Sequence, residues 1–306
     1  MRLIGIDIGG TKTTVAEGTA DGRILSQKRF PTTDPDTTLA AIMAAVAALG
    51  PDQNTVIGIA CGDPQDSPAG VILAPPNLPE WKQVAIGPAL SERFGCPAYL
   101  MNDANAGALA EWQFGAARGS RNVIFLTAGT GMGAGLILNG LLHEGATRRA
   151  GEVGHIRLAP GGPVGYGKAG SFEGFCSGGG IAKLAQARAG EAGGAVSYNP
   201  GAIDDITARH VGEAALRGEC DAQQLLADVG SYLGQALAIL IDILNPETIV
   251  IGSLYVRCRA FLEESMCEAI ASEALSDSAQ ACRIVPAELG EDLGALQAIA
   301  VALYRS

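Results

Sequence analysis

Two stretches of the chain repeat one pattern of apolar and polar positions. In the first, LIGIDIG (3–9) leads through a glycine turn into TTVAEGT (13–19), and a second turn at Asp21-Gly22 leads into RILSQ (23–27). In the second, NVIFLTA (122–128) leads through GTGMG into AGLIL (134–138), and a turn at Asn139-Gly140 leads into LLHEG (141–145). Short apolar runs broken by Gly, Asp-Gly and Asn-Gly predict strand, turn, strand, turn, strand. Each stretch is therefore expected to form an antiparallel meander, with a two-residue type I′ turn at Asp21-Gly22 and at Asn139-Gly140.

Helical periodicity follows each meander. Leu39, Ile42, Met43, Val46 and Leu49 recur at helix spacing before a Gly50-Pro51 stop. The strand TVIGIA, a helix over 86–94, the strand AYLMN (98–102) and the helix ANAGALAEWQFG (104–115) complete an α/β unit. In the second half, Leu226, Val229, Leu233, Leu237, Leu240 and Leu244 mark a helix within 225–244 that ends at Asn245-Pro246. The strands TIVIG and RIVPAEL and a final helix over 291–304 close the chain. A meander followed by helices and strands thus occurs twice, about 120 residues apart, a period that means duplicated domains and not a solenoid. The expected boundaries are 1–115, joined by the C-terminal helix at 291–306, and 116–290.

Length agrees with two domains, because 306 residues exceed the roughly 250–300 at which a single core stops growing. A net charge of −11 excludes the basic footprint that nucleic acid demands. The apolar N-terminal stretch is interrupted by Asp7, and segment 225–244 carries Asp228, Gln235 and Asp242, so no export signal and no membrane span is predicted. Seven cysteines without a CxxC pair read as reduced thiols, most of them small buried side chains. A cytoplasmic location is expected.

The chemistry lies at the glycine turns. A glycine turn between strands lets backbone N–H groups approach a phosphate with no Cβ in the way. Around Gly9 and Gly10, Thr11 adds a hydroxyl, Lys12 a point charge, and Asp7 a carboxylate able to hold Mg²⁺ through water. Gly129, Thr130, Gly131 and Gly133 form the second turn. Two such turns facing each other would grip the phosphates of ATP, whereas either alone reads equally well as a tight hairpin. Gly129, Gly131 and Ala134 also match a dinucleotide fingerprint, but that motif needs a helix next, and AGLILNGLLH reads as a hairpin. Asp103 follows a strand and precedes a helix, where it is either a helix N-cap or a carboxylate at a ligand-binding strand end.

Taken together, DIGGTK at 7–12, PNLPEW at 76–81, NDANAGALAE at 102–111, GTGMGAG at 129–135 and GEVGH at 151–155 make the chain resemble the ROK sugar kinases of the sugar kinase, Hsp70 and actin superfamily. The resemblance implies an α/β fold of two ribonuclease-H-like (actin-like ATPase) domains, with nucleotide and sugar bound in a cleft between them. It implies ATP and Mg²⁺, a small-molecule sugar as acceptor, and a homodimer. Asp103 matches the general base that takes the proton of the phosphoryl-accepting hydroxyl. Asn102, Glu152, His155 and Glu173 match sugar contacts, Gly62 and Asn77 match loops lining the sugar pocket, and Gly252 matches a glycine beside adenosine.

Two departures are plain. The family's zinc site uses a His and the cysteines of CxCGxxGC; here VGYGKAGSFE (164–173) puts Val164, Tyr166 and Ser171 at the three cysteine positions. No structural zinc is expected, the loop being held by its glycine turns and by packing of Val164, Tyr166 and Phe172, and His155 then needs another orienting partner. Ser253 and Leu254 replace part of a glycine run near adenosine. The expected function is ATP-dependent phosphorylation of a hexose or hexose-derived sugar; the alternatives are a catalytically silent sugar sensor and a transcriptional regulator. Because the chain starts on its first strand, the added N-terminal DNA-binding domain of such a regulator is not expected.

Overall fold

The computed structural model describes residues 1–306, which cluster into two compact units, Met1–Ser120 with Glu288–Ser306, and Arg121–Ala287. The first contains β1 (Arg2–Ile8), β2 (Lys12–Gly18), β3 (Ile24–Pro31), α1 (Pro35–Leu49), β4 (Thr55–Cys61), the short hairpin β5 (Gln65–Asp66) and β6 (Val71–Ile72), α2 (Ile86–Phe94), β7 (Ala98–Asn102) and α3 (Asp103–Gln113). The second contains β8 (Val123–Ala128), β9 (Met132–Leu138), β10 (Leu141–Leu142), the hairpin β11 (Val164–Gly165) and β12 (Lys168–Ala169), α4 (Phe172–Cys176), α5 (Gly178–Glu191), α6 (Ala208–Leu216), α7 (Cys220–Leu244), β13 (Thr248–Ile251), α8 (Leu254–Glu273), α9 (Ser276–Ala281) and β14 (Arg283–Pro286). The last helix, α10 (Leu293–Tyr304), returns to the first unit.

Both units carry the same sheet. The orders are β3-β2-β1-β4-β7 and β10-β9-β8-β13-β14, with the meander antiparallel and the remaining strands parallel to its first strand. The family of strands is mixed α/β, the actin-like ATPase architecture that the motifs implied.

In the first unit the sheet is buried on both faces. Ile4, Ile6, Ile8, Ile57 and Ile59 meet Ile42 and Val46 of α1, while Leu3, Ala16 and Val56 meet Leu296 and Ile299 of α10. Every residue of β4 is buried, as expected for a parallel strand covered twice. A Cβ on Gly58 would stand 2.1 Å from the Ala298 carbonyl oxygen, and one on Gly5 2.7 Å from the Ile299 nitrogen, so these glycines let α10 lie directly on the strands.

The second unit is organised around α7. Its apolar stripe, Leu226, Val229, Leu233, Leu237 and Leu240, is buried in the core, although length and composition alone would let this helix cross a membrane. It begins at Cys220, earlier than the apolar repeat indicates, and ends on Asn245 in the left-handed conformation.

The two predicted tight turns differ. Asn139 (φ 55°) and Gly140 (φ 79°) form the type I′ pair as expected. At Asp21-Gly22 only Gly22 is left-handed, and its N–H donates to the Thr19 carbonyl at 3.1 Å; the loop spans Thr19 to Arg23, with a bulge at Glu17/Gly18, and is no two-residue turn. The bulge absorbs the extra residue that a wider loop introduces.

Candidate active site

In the first unit the candidate residues converge at the C-terminal ends of parallel strands. Register places Ile8 beside Cys61 and Cys61 beside Asn102, so Asp7, Gly62 and Asp103 stand at one sheet edge. The turn after β1 closes by donation from the Gly9 N–H to the Lys12 carbonyl at 3.0 Å, which occupies the Gly9 donor. A Cβ on Gly10 would come within 2.8 Å of the Asn77 Cβ, so glycine here allows the loop carrying Asn77 to lie against the turn. That loop is anchored by Trp81, fully buried, with its indole N–H on the Thr33 carbonyl at 3.1 Å.

Asn102, not Asp103, caps α3: its Oδ1 accepts from the Asn105 N–H at 2.8 Å, while its Nδ2 donates to Asp63 at 2.8 Å. Both ends of the Asn102 amide are therefore engaged within the protein. Asp103 is the first helical residue, and its carboxylate is left free of the capping duty that its position also allowed. Solvent reaches Asp103, yet the surrounding protein desolvates it and the Asp63 charge opposes its ionisation, so its pKa is raised; backbone N–H groups act the other way.

Asp7 shows the same tendency. Burial lifts it from 3.8 to about 6, with Asp103 adding to the rise and the Gln297 hydrogen bond, Lys12 and Arg29 opposing it. Gln297, on α10, donates to Asp7 Oδ1 at 2.7 Å. Two acidic groups and one lysine at a strand edge suit a divalent cation, which binds through one or two carboxylates and otherwise through water and phosphate. Asp7, with no other chain ligand required, fits that role.

In the second unit the turn between β8 and β9 is oriented by α5. The Gly178 N–H donates to the Gly129 carbonyl at 2.7 Å and the Gly179 N–H to the Thr130 carbonyl at 3.2 Å. Because C=O and N–H point oppositely across a trans peptide, the N–H groups of Thr130 and Gly131 face away from α5, as phosphate donors must. Gly133 lies inside β9 opposite Thr127, and the Gly252 N–H is bonded to the Leu126 carbonyl at 2.9 Å, so neither belongs to the open turn. Ser253 follows with φ 53°, a conformation glycine would adopt without strain.

Glu152 precedes and His155 ends one turn of 3₁₀ helix, both exposed, with the His155 N–H on the Glu152 carbonyl at 3.2 Å. Glu173 Oε2 accepts from the Met132 N–H at 2.9 Å and lies where a Cβ on Gly131 would meet it at 3.0 Å. It thus braces the glycine turn, a contact the motif alone did not disclose.

The segment where the family holds zinc is a hairpin. Val164 pairs with Ala169 and Gly165 with Lys168 across a turn of Tyr166 (φ 43°) and Gly167 (φ 79°). Ser171 caps α4, accepting from the Gly174 N–H at 3.1 Å. The donors do not fit zinc: no three His, Cys, Asp or Glu side chains gather in the chain, and the Cys176 thiol is buried against the Val229 carbonyl. The expected packing needs correction, since only Phe172 is in the core; Val164 is 43 % and Tyr166 75 % exposed.

Residues that sequence reasoning missed are Asp63 and Gln297. Neither carries a local signal, because each acts on a partner that only folding brings near.

Known proteins resemble this chain in sequence and fold. The chain is 33 % identical over 256 residues to a glucokinase of Streptomyces coelicolor, covering 81 % of this chain and 80 % of that one. A ROK family glucokinase from Streptomyces griseus, solved in complex with glucose and AMPPNP, superposes with a TM-score of 0.76 at 30 % identity, covering 99 % of each chain. A ROK family transcriptional regulator, a homologue of the Escherichia coli Mlc protein, superposes with a TM-score of 0.84 at 26 % identity over 99 % of this chain and 78 % of that one. The ROK family model matches residues 3–305, and with these glycine turns, strand-edge carboxylates and relatives the chain belongs to the ROK family.

Proposed function

We propose that the chain is an ATP-dependent kinase of a hexose or hexose-derived sugar, with Asp103 as the general base. One observation carries this reading: Asn102 takes the helix cap, leaving the Asp103 carboxylate free of that role at a strand end beside Asp7 and the Lys12 turn. The carboxylate accepts the proton of the acceptor hydroxyl as that oxygen bonds to the γ-phosphorus and the bond to ADP breaks. Its raised pKa makes it a better proton acceptor than an ordinary aspartate.

Thr11, Lys12 and the outward N–H groups of Thr130 and Gly131 bind phosphate oxygens. Asp7 would hold Mg²⁺, which would supply charge neutralisation on the transferring phosphates. In this reading Asn102, Glu152 and His155 contact the sugar, and Asn77 and Gly62 belong to loops that line its pocket. Glu173, in this reading, sets the glycine turn as well as the sugar pocket.

Likeness to a transcriptional regulator supports a second reading, a sugar-binding sensor without turnover. A coupled ADP-release assay with glucose as acceptor separates the two. Wild-type protein is expected to release ADP only with sugar present, and Asp103→Asn to lose about 10²–10⁴-fold in turnover with glucose and ATP affinities within a few-fold. Undiminished turnover in Asp103→Asn would remove the base assignment, and no sugar-dependent ADP release over a panel of hexoses and N-acetylhexosamines would favour the sensor.

A further inference from the structure

The only ring that packs on the His155 imidazole is Tyr166, with centroids 5.4 Å apart and planes at 66°, an edge-to-face contact. Tyr166 is unusual by every local measure. It has a left-handed backbone, where a residue with a Cβ is disfavoured, and it exposes 75 % of its surface at a hairpin tip. Neither core packing nor turn preference accounts for an aromatic residue there. Its contact with His155 does.

The hairpin is fastened to the His155 segment on several sides. Lys168 Nζ donates to the His155 carbonyl at 2.5 Å, Arg157 Nη1 to the Ala169 carbonyl at 2.8 Å, and Lys183 Nζ, from α5, to the Val164 carbonyl at 2.6 Å. Main-chain bonds from Phe172 to Ile156 at 2.8 Å and from Leu158 to Gly170 at 2.9 Å tie the two segments together. Charged donors on neutral carbonyls form the stronger class of hydrogen bond and need no metal.

We propose that Tyr166 is a positioning residue that fixes the His155 imidazole for a sugar hydroxyl, the hairpin 164–169 and its three cationic ties performing the orienting task for which the donor set of a zinc site is lacking. The sugar contact of His155 is taken from the proposed function; the ring contact stands apart from it. An imidazole in edge-to-face contact with a tyrosine ring loses rotamer freedom before substrate arrives, so removing the ring weakens sugar binding and leaves nucleotide binding alone.

The chain has three histidines, His143, His155 and His210, so their Hε1 proton resonances are few enough to follow individually, with His155→Gln identifying the relevant one. In Tyr166→Leu that resonance alone is expected to move, and in Tyr166→Phe it stays near its wild-type position. In ADP-release kinetics with glucose, Tyr166→Leu should raise the sugar KM roughly tenfold with the ATP KM unchanged, and Tyr166→Phe should restore it. In a His155→Ala background Tyr166→Leu should add nothing. An unmoved His155 resonance, or a Tyr166→Leu effect undiminished without His155, would overturn the positioning role. A moved resonance together with an unchanged sugar KM in His155→Ala would leave the ring contact standing and remove the sugar-contact assignment instead.

Discussion

At the scale of single residues, Asp7 is held in a state that costs the fold stability. Its carboxyl titrates at about 6 when folded against 3.8 ordinarily, so the folded chain binds this proton more tightly than the unfolded chain. The cost is absent below the ordinary value and grows as pH rises towards the folded one, reaching about 1–3 kcal/mol above it. Asp7→Asn keeps an acceptor for Gln297 and removes the charge. It should therefore melt a few degrees higher than wild type at about pH 8 in Mg²⁺-free buffer, lose that advantage near pH 4, and turn over poorly; a lower melting temperature at about pH 8 would contradict the sign. Asp7 and Asp103 were legible because each sits in a short motif at a strand end. Gln297 was not, since a glutamine in an apolar helix declares no partner, and the one it finds is 290 positions away.

At the scale of elements, local chemistry wrote most of the strands and helices but not their closeness. Asn139-Gly140 forms its tight turn because both positions take positive φ, while at Asp21-Gly22 only Gly22 does, and the wider loop there is matched by the bulge at Glu17/Gly18. The apolar stripe of α7 located that helix, and its first turn escaped notice because Cys220–Gln224 carries little of the stripe. A glycine weakens an isolated strand, yet Gly5 in β1 and Gly58 in β4 mark where α10 lies against the sheet. Gly58→Ala is expected to destabilise the protein by about 1–3 kcal/mol or more, because its methyl group would meet main-chain atoms of Ala298 and Ala302 that cannot swing aside. Denaturant unfolding measures this; a change within about 0.5 kcal/mol would mean that α10 yields freely.

At the scale of the whole molecule, the duplicated sheet was visible as a period in the sequence, because each copy begins with the same run of apolar strands and glycine turns. The departure at 164–173 was visible too, but what replaced the missing thiols was not, since a lysine or arginine does not reveal which carbonyl it will meet. Purified protein should carry far less than stoichiometric zinc, and a chelator added with Mg²⁺ in excess should change neither melting temperature nor turnover; zinc at one per chain, lost together with activity, would refute the hairpin as a metal-free support. The placement of α10 on β1 and β4 also bears on how the protein is made. Residues 1–120 leave the ribosome long before 288–306, with the whole unit 121–287 synthesised in between. At roughly 5–20 residues per second the early sheet waits on the order of ten seconds or more with the face around Gly5 and Gly58 uncovered. The later, uninterrupted unit can finish folding first, so the half that holds Asp7 and Asp103 is completed only once 288–306 has been translated, and a nascent chain stalled before that segment would be a client for chaperones.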